Sequence, residues 1–371
     1  MQDRAISDSS EALKIQAIDA LQRQPRRRAA TISQNLTSIK LISSTVSDLL
    51  SEELSEGRAD PNILLSTSPD GWRYQQGTTT ILVPPNATLQ ASVDLAVSGK
   101  MDSVFPGFAR AFPEINRISY LSASGVYRTF PQIELTQLPE RWWPENNPAF
   151  QAHLPEHNAA GQIIWLPPHN TLATSEQVIS AVAPVFQRGL LNGVVIVDIE
   201  LDALTLRVKD LGTELGGFGF VVDSNGYLIT APERGRQLLL GEAAPMAGHS
   251  APALAEVNPA FAPVIAAMRE GTNDVITVEL QGRPYVVLHY PVPEMRWSIS
   301  VIAPLEQVTA PTLTIAENIT VIANSAHLRG MLSSLLVVVL LCCAVAFVLH
   351  LQFARPLAQL LAGTRALAAG E

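Results

Sequence analysis

One stretch near the C-terminus constrains the chain more than any other feature. Residues 331–354 contain no Lys, Arg, Asp or Glu, and their centre reads LLVVVLLCCAVAFVL. A membrane-spanning helix needs about 20 predominantly apolar residues. The sequence therefore predicts a transmembrane helix here; a buried helix of a globular core is the alternative. Arg355 and Arg365 follow the stretch and Arg329 precedes it, which favours a cytoplasmic C-terminus by the positive-inside rule.

The composition and motifs exclude several classes of protein. Of the 371 residues, 47% are apolar and 16% charged, unlike a disordered chain. The net charge is −9 with no basic domain, so no nucleic-acid partner is expected. Cys342 and Cys343 are the two cysteines and are adjacent, which predicts neither a disulfide nor a zinc or thiol-redox site. No catalytic motif and no metal-ligand spacing of the seven histidines is found. We therefore expect no enzyme activity, no metal and no cofactor.

The N-terminal part has the pattern of a long helix. Residues 9–57 contain a single proline, Pro25, and apolar residues recur between Ile32 and Leu54 at steps of three and four. This spacing marks one face of a helix that packs against a neighbouring helix or sheet. A proline inside a helix removes a hydrogen bond, so a break or kink is predicted at Pro25.

Two runs of predicted strands follow a Pro/Gly/Ser/Thr-rich connection near residues 59–77. The first run contains strands 117–122, 125–130, 162–167, 177–187 and 193–201, and the second contains 218–223, 227–230, 274–280, 285–291 and 296–303. The first hairpin of the second run turns at Asn225-Gly226, a pair typical of such turns. Each run gives a hairpin, then helices and loops, then a three-stranded antiparallel meander. The sequence thus predicts an α+β module that occurs twice.

Several segments in this order resemble the double Cache (dCache) family of extracytoplasmic sensor domains. FPEINRISYLSASGVYRTFP resembles the opening hairpin of the membrane-distal module, and GLLNGVVIVDIELDAL resembles its closing strand and the following helix. GFGFVVDSNGYLIT and GRPYVVLHYPVPEMRWSISVIAP resemble the opening hairpin and closing meander of the membrane-proximal module. After the apolar stretch, ARPLAQLLAGTRALAAGE resembles the first half of a HAMP relay.

The resemblance implies an α+β fold with a long N-terminal helix, two tandem PAS-like antiparallel-sheet modules, a transmembrane helix and a partial HAMP helix. The expected boundaries are the N-terminal helix at 1–58, the distal module at 59–211, the proximal module at 212–304, a connecting helix at 305–330, the transmembrane helix at 331–354 and the partial HAMP at 355–371. Residues of about 30–325 are then extracytoplasmic, and the protein lies in the cell membrane. Because the family places a further membrane helix before this chain and an output domain after it, the chain is expected to be a fragment.

The resemblance also implies a ligand site in the distal module. In dCache domains that bind amino acids, an Arg-Pro-Trp-Tyr segment follows a helix, and a carboxylate lies on the last strand. Aligning the prolines places Asn147-Pro148-Ala149-Phe150 on that segment, and Asp198 matches the carboxylate. An alternative register places Arg141-Trp142-Trp143 there.

Strand alternation adds Tyr120, Arg128 and Trp165 as candidates for the same cavity, because alternate residues of a strand share a face. The expected ligand-binding residues are Asp198, Tyr120, Asn147, Phe150 and Trp165. Since Asn147 replaces the arginine of the motif, the resemblance implies an uncharged or cationic small molecule rather than a free amino acid, with Asp198 as its anionic partner. Local capping or pairing by Asp198 is the alternative.

Two functions follow from these expectations. The first is the small-molecule sensor region of a bacterial membrane signal-transduction receptor, a homodimer through its helices. Such a region passes a ligand-induced displacement through the membrane helix and HAMP to a cytoplasmic output domain. The second is a structural or partner-protein-binding ectodomain that has no small-molecule ligand.

Overall fold

The computed structural model describes most of the chain up to residue 308 and a short helical segment beyond it. The described residues are 2–56, 63–134, 143–171, 176–241, 252–272, 275–292, 295–308, 334–341 and 343. The chain divides into two compact units, one of residues 18–308 and the other of residues 1–17 and 309–371.

The predicted C-terminal elements fall largely outside the described residues. Residues 305–308 of the predicted connecting helix and residues 334–341 of the predicted membrane helix are helical. The rest of both elements, Cys343 apart, and the whole predicted HAMP segment at 355–371 lie outside the described ranges. Within those ranges, no helix combines the length and the apolar character needed to cross a membrane.

The first element is a long helix, α1 (Gln2–Glu56). Its predicted apolar stripe is confirmed: Ile32, Ile39 and Leu50 are buried in a core that both sheets share. The helix continues through Pro25, so a break at this residue is wrong, and the alternative of a kink stays a prediction. An interior proline costs about 3 kcal/mol, and burial of the apolar stripe, which begins at Ala29 one turn after Pro25, opposes that cost.

The distal module is an eight-stranded antiparallel sheet with three short helices. Its strands are β1 (Ser66–Thr67), β2 (Arg73–Gln76), β3 (Thr80–Val83), β4 (Ile115–Ser122), β5 (Tyr127–Phe130), β6 (Ile164–Asn170), β7 (Gln177–Gln187) and β8 (Leu190–Glu200), and its helices are α2 (Leu89–Val97), α3 (Met101–Ala111) and α4 (Pro148–Gln151). The strand order is β1-β2-β3-β5-β4-β8-β7-β6. The predicted hairpin and meander are therefore confirmed, whereas β1, β2 and β3 were not predicted.

The proximal module is a five-stranded antiparallel sheet. It follows helix α5 (Leu201–Lys209), which comes after β8 in the chain, and its elements are β9 (Phe218–Asp223), β10 (Leu228–Thr230), α6 (Glu233–Leu240), α7 (Leu254–Val257), α8 (Ala262–Glu270), β11 (Val275–Leu280), β12 (Arg283–Val292) and β13 (Trp297–Pro304). The strand order is β10-β9-β13-β12-β11. Gly226 has φ +88 in the predicted turn, and Asp223 Oδ1 accepts hydrogen bonds from the amides of Asn225 and Tyr227. Asp223 is thus explained by turn chemistry.

The two faces of the distal sheet pack against different partners. On one face, Ile118 and Tyr120 of β4 belong to the core that contains α1 and α3. On the opposite face, Leu121 and Ile196 pack with Phe150 of α4. Successive residues of a strand point to opposite faces, so sequence position along β4 and β8 decides which environment a side chain enters.

Candidate functional site

A cavity lies on the α4 face of the distal sheet. It encloses about 420 Å³ of space, part of which is open solvent. Strands β4, β5, β6 and β8, the chain after β6 and the start of α4 line it with the following residues: Arg117, Ser119, Tyr127, Asn147, Pro148, Ala149, Leu166, His169, Thr171, Ile196 and Asp198.

The strand register determines which polar side chains form the floor of this cavity. Arg117 on β4 is directly opposite Asp198 on β8, and Asp198 is in turn opposite Ser180 on β7. The three side chains share a face because antiparallel partners directly opposite each other point the same way. A cation, an anion and a hydroxyl therefore lie side by side across three neighbouring strands.

Asp198 is a buried carboxyl with a hydroxyl partner. It is 6% exposed, and its Oδ1 accepts a hydrogen bond of 2.5 Å from Ser180 Oγ. Burial raises the pKa of Asp198, although the Ser180 hydrogen bond and the charges of His169 and Arg117 act in the opposite direction. The predicted carboxylate thus lines the cavity, and its binding of a ligand stays a prediction.

Arg117 is a charged residue of the cavity that was not predicted from the sequence. It is 7% exposed, and its Nη1 donates to Thr129 Oγ1 at 3.2 Å and to Pro131 O at 3.1 Å. Among the residues that the structure describes, its buried Nε has no hydrogen-bond partner. Residue 117 was within a predicted strand, but the register of that strand against β8 was needed to show that it faces Asp198.

Asn147 lines the cavity and also starts α4. Its Oδ1 accepts hydrogen bonds from the amides of Ala149 at 2.9 Å and Phe150 at 3.2 Å, as a helix N-cap does. Phe150 is not among the residues that line the cavity; its side chain is buried in an apolar cluster that also contains Ala149 and Ile196 of the cavity lining.

The same four residues recur in the proximal module. The sequence Asn-Pro-Ala-Phe occupies 147–150 and again 258–261. Asn258 Oδ1 accepts from the amide of Ala260 at 3.0 Å, and Phe261 is fully buried. This repeat indicates that the Asn-Pro-Ala-Phe segment caps the start of a helix and buries its aromatic side chain. That structural role explains the presence of Asn147 and Phe150 without a ligand.

The structure does not bring Tyr120, Arg128 or Trp165 to the cavity. The Tyr120 hydroxyl accepts from Asn192 Nδ2 at 3.2 Å on the α1 face. The fully buried Arg128 is ion-paired with Asp102 at 2.5 Å. The placement of Tyr120 and Arg128 has one physical cause: in the register of β4 with β5 the two residues oppose each other, one residue out of phase with the cavity face. Binding of a ligand by these residues stays a prediction.

Trp165 and Trp143 contact other tryptophans. Trp165 on β6 packs against Trp297 of β13 with ring centroids 5.7 Å apart. In the alternative motif register, Arg141 and Trp142 lie outside the described residues, and Trp143 packs against Trp72 at the same centroid distance of 5.7 Å.

The described residues contain no group of three or more His, Cys, Asp or Glu side chains that could hold a metal ion. Within this part of the chain, the charged side chains that line the cavity are Arg117 and Asp198, together with the titratable His169. The arrangement is suited to holding a small polar molecule by hydrogen bonds and charge.

Comparison with solved structures shows the same fold. The ligand-binding domain of the Pseudomonas aeruginosa PAO1 amino acid chemoreceptor PctB, in complex with L-Gln, has a TM-score of 0.51 and 17% identity over 79% of this chain and 93% of that chain. The ligand-binding domain of the Pseudomonas fluorescens chemoreceptor CtaA, in complex with L-leucine, has a TM-score of 0.50 and 15% identity over 80% of this chain and 99% of that chain. No curated protein matches the chain.

The family assignment rests on the sequence as well as on the fold. Residues 9–312 match the Cache domain dCache_1, a range that contains residues 9–56 of α1 and both sheets. The predicted resemblance to the double Cache family is confirmed for this range: the chain belongs to the dCache_1 family of Cache domains.

Proposed function

We propose that this chain is the extracytoplasmic small-molecule sensor region of a bacterial membrane signal-transduction receptor, with its ligand in the distal cavity. The observation that carries the proposal is the pair of buried charged side chains, Arg117 and Asp198, on the floor of that cavity. Buried charges are costly unless they are paired or hydrogen-bonded. A ligand with complementary groups supplies such partners.

Binding rather than catalysis fits the contacts around Ser180. In a serine hydrolase, the histidine takes the serine proton and a carboxylate holds the other histidine nitrogen. Here Ser180 donates to Asp198, and His169 Nδ1 lies 2.8 Å from the Pro167 carbonyl. Asp198 therefore holds the serine and not the histidine, so these residues do not form a hydrolytic triad.

The proposed route of the signal follows α1 and the end of the proximal module. The buried stripe of α1 lies in one core with residues of both sheets, so a displacement in the distal module is transmitted by close packing. We propose that it continues through the membrane helix at 331–354 and the HAMP segment at 355–371 to a cytoplasmic output domain. The exposed apolar residues Leu41 and Leu49 of α1, 66% and 38% exposed, support a homodimer through the helices.

The ligand preference predicted above is not supported. It rested on the loss of arginine at Asn147, which was taken to leave no cation for a ligand carboxylate. Arg117 places a guanidinium in the same cavity from β4, so that premise does not hold.

A thermal-shift screen tests the proposed function. The purified 371-residue chain, kept in detergent, is heated with a broad panel of small metabolites, and a ligand that binds only the native state raises Tm by mass action. We expect at least one hit, and Asp198→Asn to weaken its binding by about tenfold to a hundredfold, the value of a charge-assisted hydrogen bond. A panel without any hit favours the structural or partner-protein-binding ectodomain instead.

Reporter fusions test the proposed topology. In the full-length gene, a fusion at Gly282 should report an extracytoplasmic position and a fusion at Gly370 a cytoplasmic one. Cytoplasmic activity of the reporter at Gly282 contradicts the proposal.

A further inference from the structure

A buried histidine connects the short helix α4 to the distal sheet. His153 follows α4 and is 3% exposed. Its Nδ1 lies 3.0 Å from the carbonyl oxygen of Ala149 in α4, and its Nε2 lies 3.1 Å from the carbonyl oxygen of Val182 on β7. The ring therefore bridges the helix and a strand that is distant in the sequence.

Both contacts of this ring are to hydrogen-bond acceptors. A carbonyl oxygen cannot donate, and a neutral imidazole has a single N–H group, so the neutral ring makes only one of the two hydrogen bonds. An imidazolium has an N–H group on each nitrogen and makes both. Protonation of His153 thus adds a hydrogen bond, but it also places a positive charge in a buried position.

The surroundings of His153 do not offset that charge. The ion pairs between described residues do not include His153, and the nearby Phe150 and Val182 belong to an apolar cluster. Burial lowers the pKa of His153 from its ordinary value of 6.5, although backbone hydrogen bonds with Ala149, Val182 and Gln162 act in the opposite direction. A proton on His153 therefore favours a state in which the ring has left this position and reaches water.

Release of His153 affects the distal cavity because the start of α4 forms part of its wall. Asn147, Pro148 and Ala149 line the cavity. Helix α4 is only four residues long, and so short a helix depends on tertiary contacts for its stability. Loss of the bridge to β7 thus weakens the attachment of this wall to the sheet.

We propose that His153 is a pH-sensitive switch in the wall of the distal cavity: its neutral ring holds α4 on β7, and its protonation in mild acid releases α4. This inference rests on the proposed sensor function and deepens it, because it makes occupancy of the cavity depend on the pH outside the cell. A ligand binds less tightly at low pH, since the binding-competent wall is then only partly populated.

Other titratable groups lie around the same cavity. The charged and titratable side chains that line it are Arg117, Tyr127, His169 and Asp198. Those exposed on the segment that contains α4 are Glu145, Glu156 and His157. Strand β7 carries none. The effect of His153 has to be separated from these groups by substitution.

Hydrogen exchange of α4 in the ligand-free chain tests the switch. The amides of Ala149 and Phe150 donate to Asn147 Oδ1, and the amide of Gln151 donates to the Asn147 carbonyl oxygen. Their exchange is measured by mass spectrometry on the 371-residue chain in detergent between pH 5 and pH 8. After correction for the intrinsic pH dependence of exchange, it gives the opening equilibrium of α4. We expect wild-type opening to increase roughly threefold or more from pH 8 to pH 5.

Variants identify the group responsible. His153→Gln and His153→Asn remove the titrating ring and each keep an amide donor, and the use of both covers the case in which one does not fold. In either variant the opening of α4 should be the same at pH 5 and pH 8. His157→Gln removes an exposed histidine four residues further along the chain, and this matched control should keep the wild-type pH dependence.

The outcomes separate this inference from the proposed function. Wild-type opening of α4 that does not change or that decreases toward pH 5 overturns the inference and leaves the sensor function standing. A pH dependence that survives in a folded His153→Gln or His153→Asn protein also overturns it, because the proton then acts at another group such as His169 or Asp198. The expected exchange behaviour in a chain for which the metabolite panel gives no hit contradicts the sensor function alone.

Discussion

Removal of the Ser180 hydroxyl tests the electrostatics of the cavity floor directly. Ser180 is fully buried, and its Oγ donates to Asp198 Oδ1 at 2.5 Å. His169 Nε2 lies 3.3 Å from Ser180 Oγ. Ser180→Ala deletes the donor with little change in volume. A hydrogen bond to a charged group is worth about 1.5–3 kcal/mol, so we expect the free energy of unfolding at pH 8 to fall by about 2 kcal/mol.

A double-mutant cycle separates this bond from the rest of the effect. In an Asp198→Asn background the acceptor is neutral, and the same hydroxyl contributes about 0.5–1.5 kcal/mol. The coupling energy between Ser180 and Asp198 should therefore be at least about 1 kcal/mol at pH 8.

The pH dependence of the stability loss in Ser180→Ala follows from the pKa of Asp198. Burial raises the pKa of Asp198 in the folded protein above its ordinary value of 3.8, and the Ser180 bond opposes that rise. A raised pKa contributes stability that is complete below the unfolded pKa and is lost as the pH rises through the folded pKa. Because Ser180→Ala raises the folded pKa further, the variant loses more stability with increasing pH. The difference from wild type should therefore be largest at pH 8 and shrink as the pH falls toward 4.

Urea denaturation followed by tryptophan fluorescence measures these differences. The series uses wild type, both single variants and the double variant at pH 5, 6.5 and 8. A loss below about 0.5 kcal/mol at pH 8, or a loss independent of pH, refutes the argument. Either result means that the buried Asp198 carries no charge that Ser180 stabilises.

Three further outcomes are expected. Gly193→Ala should lower the free energy of unfolding by about 1–3 kcal/mol, because the added Cβ would lie 2.6 Å from Tyr120 Cε2 and 2.8 Å from Leu121 O. The loss is measured as a lower Tm, and an unchanged Tm contradicts the close packing of β8 on β4. Asp102→Ala should cost at least about 2 kcal/mol in urea denaturation, because it removes the acidic partner of the fully buried Arg128; a neutral effect means that the remaining acceptors suffice. EDTA should leave Tm unchanged, and a large fall in Tm on adding it indicates a structural metal.

The sequence predicted the fold best where the signal was local. The hairpin of β9 and β10 was placed to within a residue because Asn225-Gly226 fixes its turn, and the stripe of α1 was visible because helical periodicity needs no partner. The strands β1, β2 and β3 were missed because they are only two to four residues long and lie in or beside a turn-rich segment. The pairing of β3 with β5 joins distant parts of the chain, which local patterns do not show.

The site was predicted only in part for the same reason. Asp198 came from the family resemblance, and the structure places it in the cavity. Tyr120 was predicted from strand alternation, but Tyr120 and Arg117 are three positions apart on one strand and therefore lie on opposite faces. Only the pairing of β4 with β8 shows which of the two faces Asp198.

The same alternation gives β6 two roles. Leu166 of β6 lines the distal cavity, while its neighbour Trp165 packs on the other face against Trp297 of β13 in the proximal module. β6 is the edge strand of its sheet, and its register with β7 shifts between Leu166 and His169. An edge strand with an irregular register moves at lower cost than a central strand such as β8, which is paired on both sides. A ligand that displaces Leu166 therefore moves β6, the strand whose Trp165 contacts the proximal module. A ligand that contacts Asp198 alone meets β8, which is paired with a strand on each side.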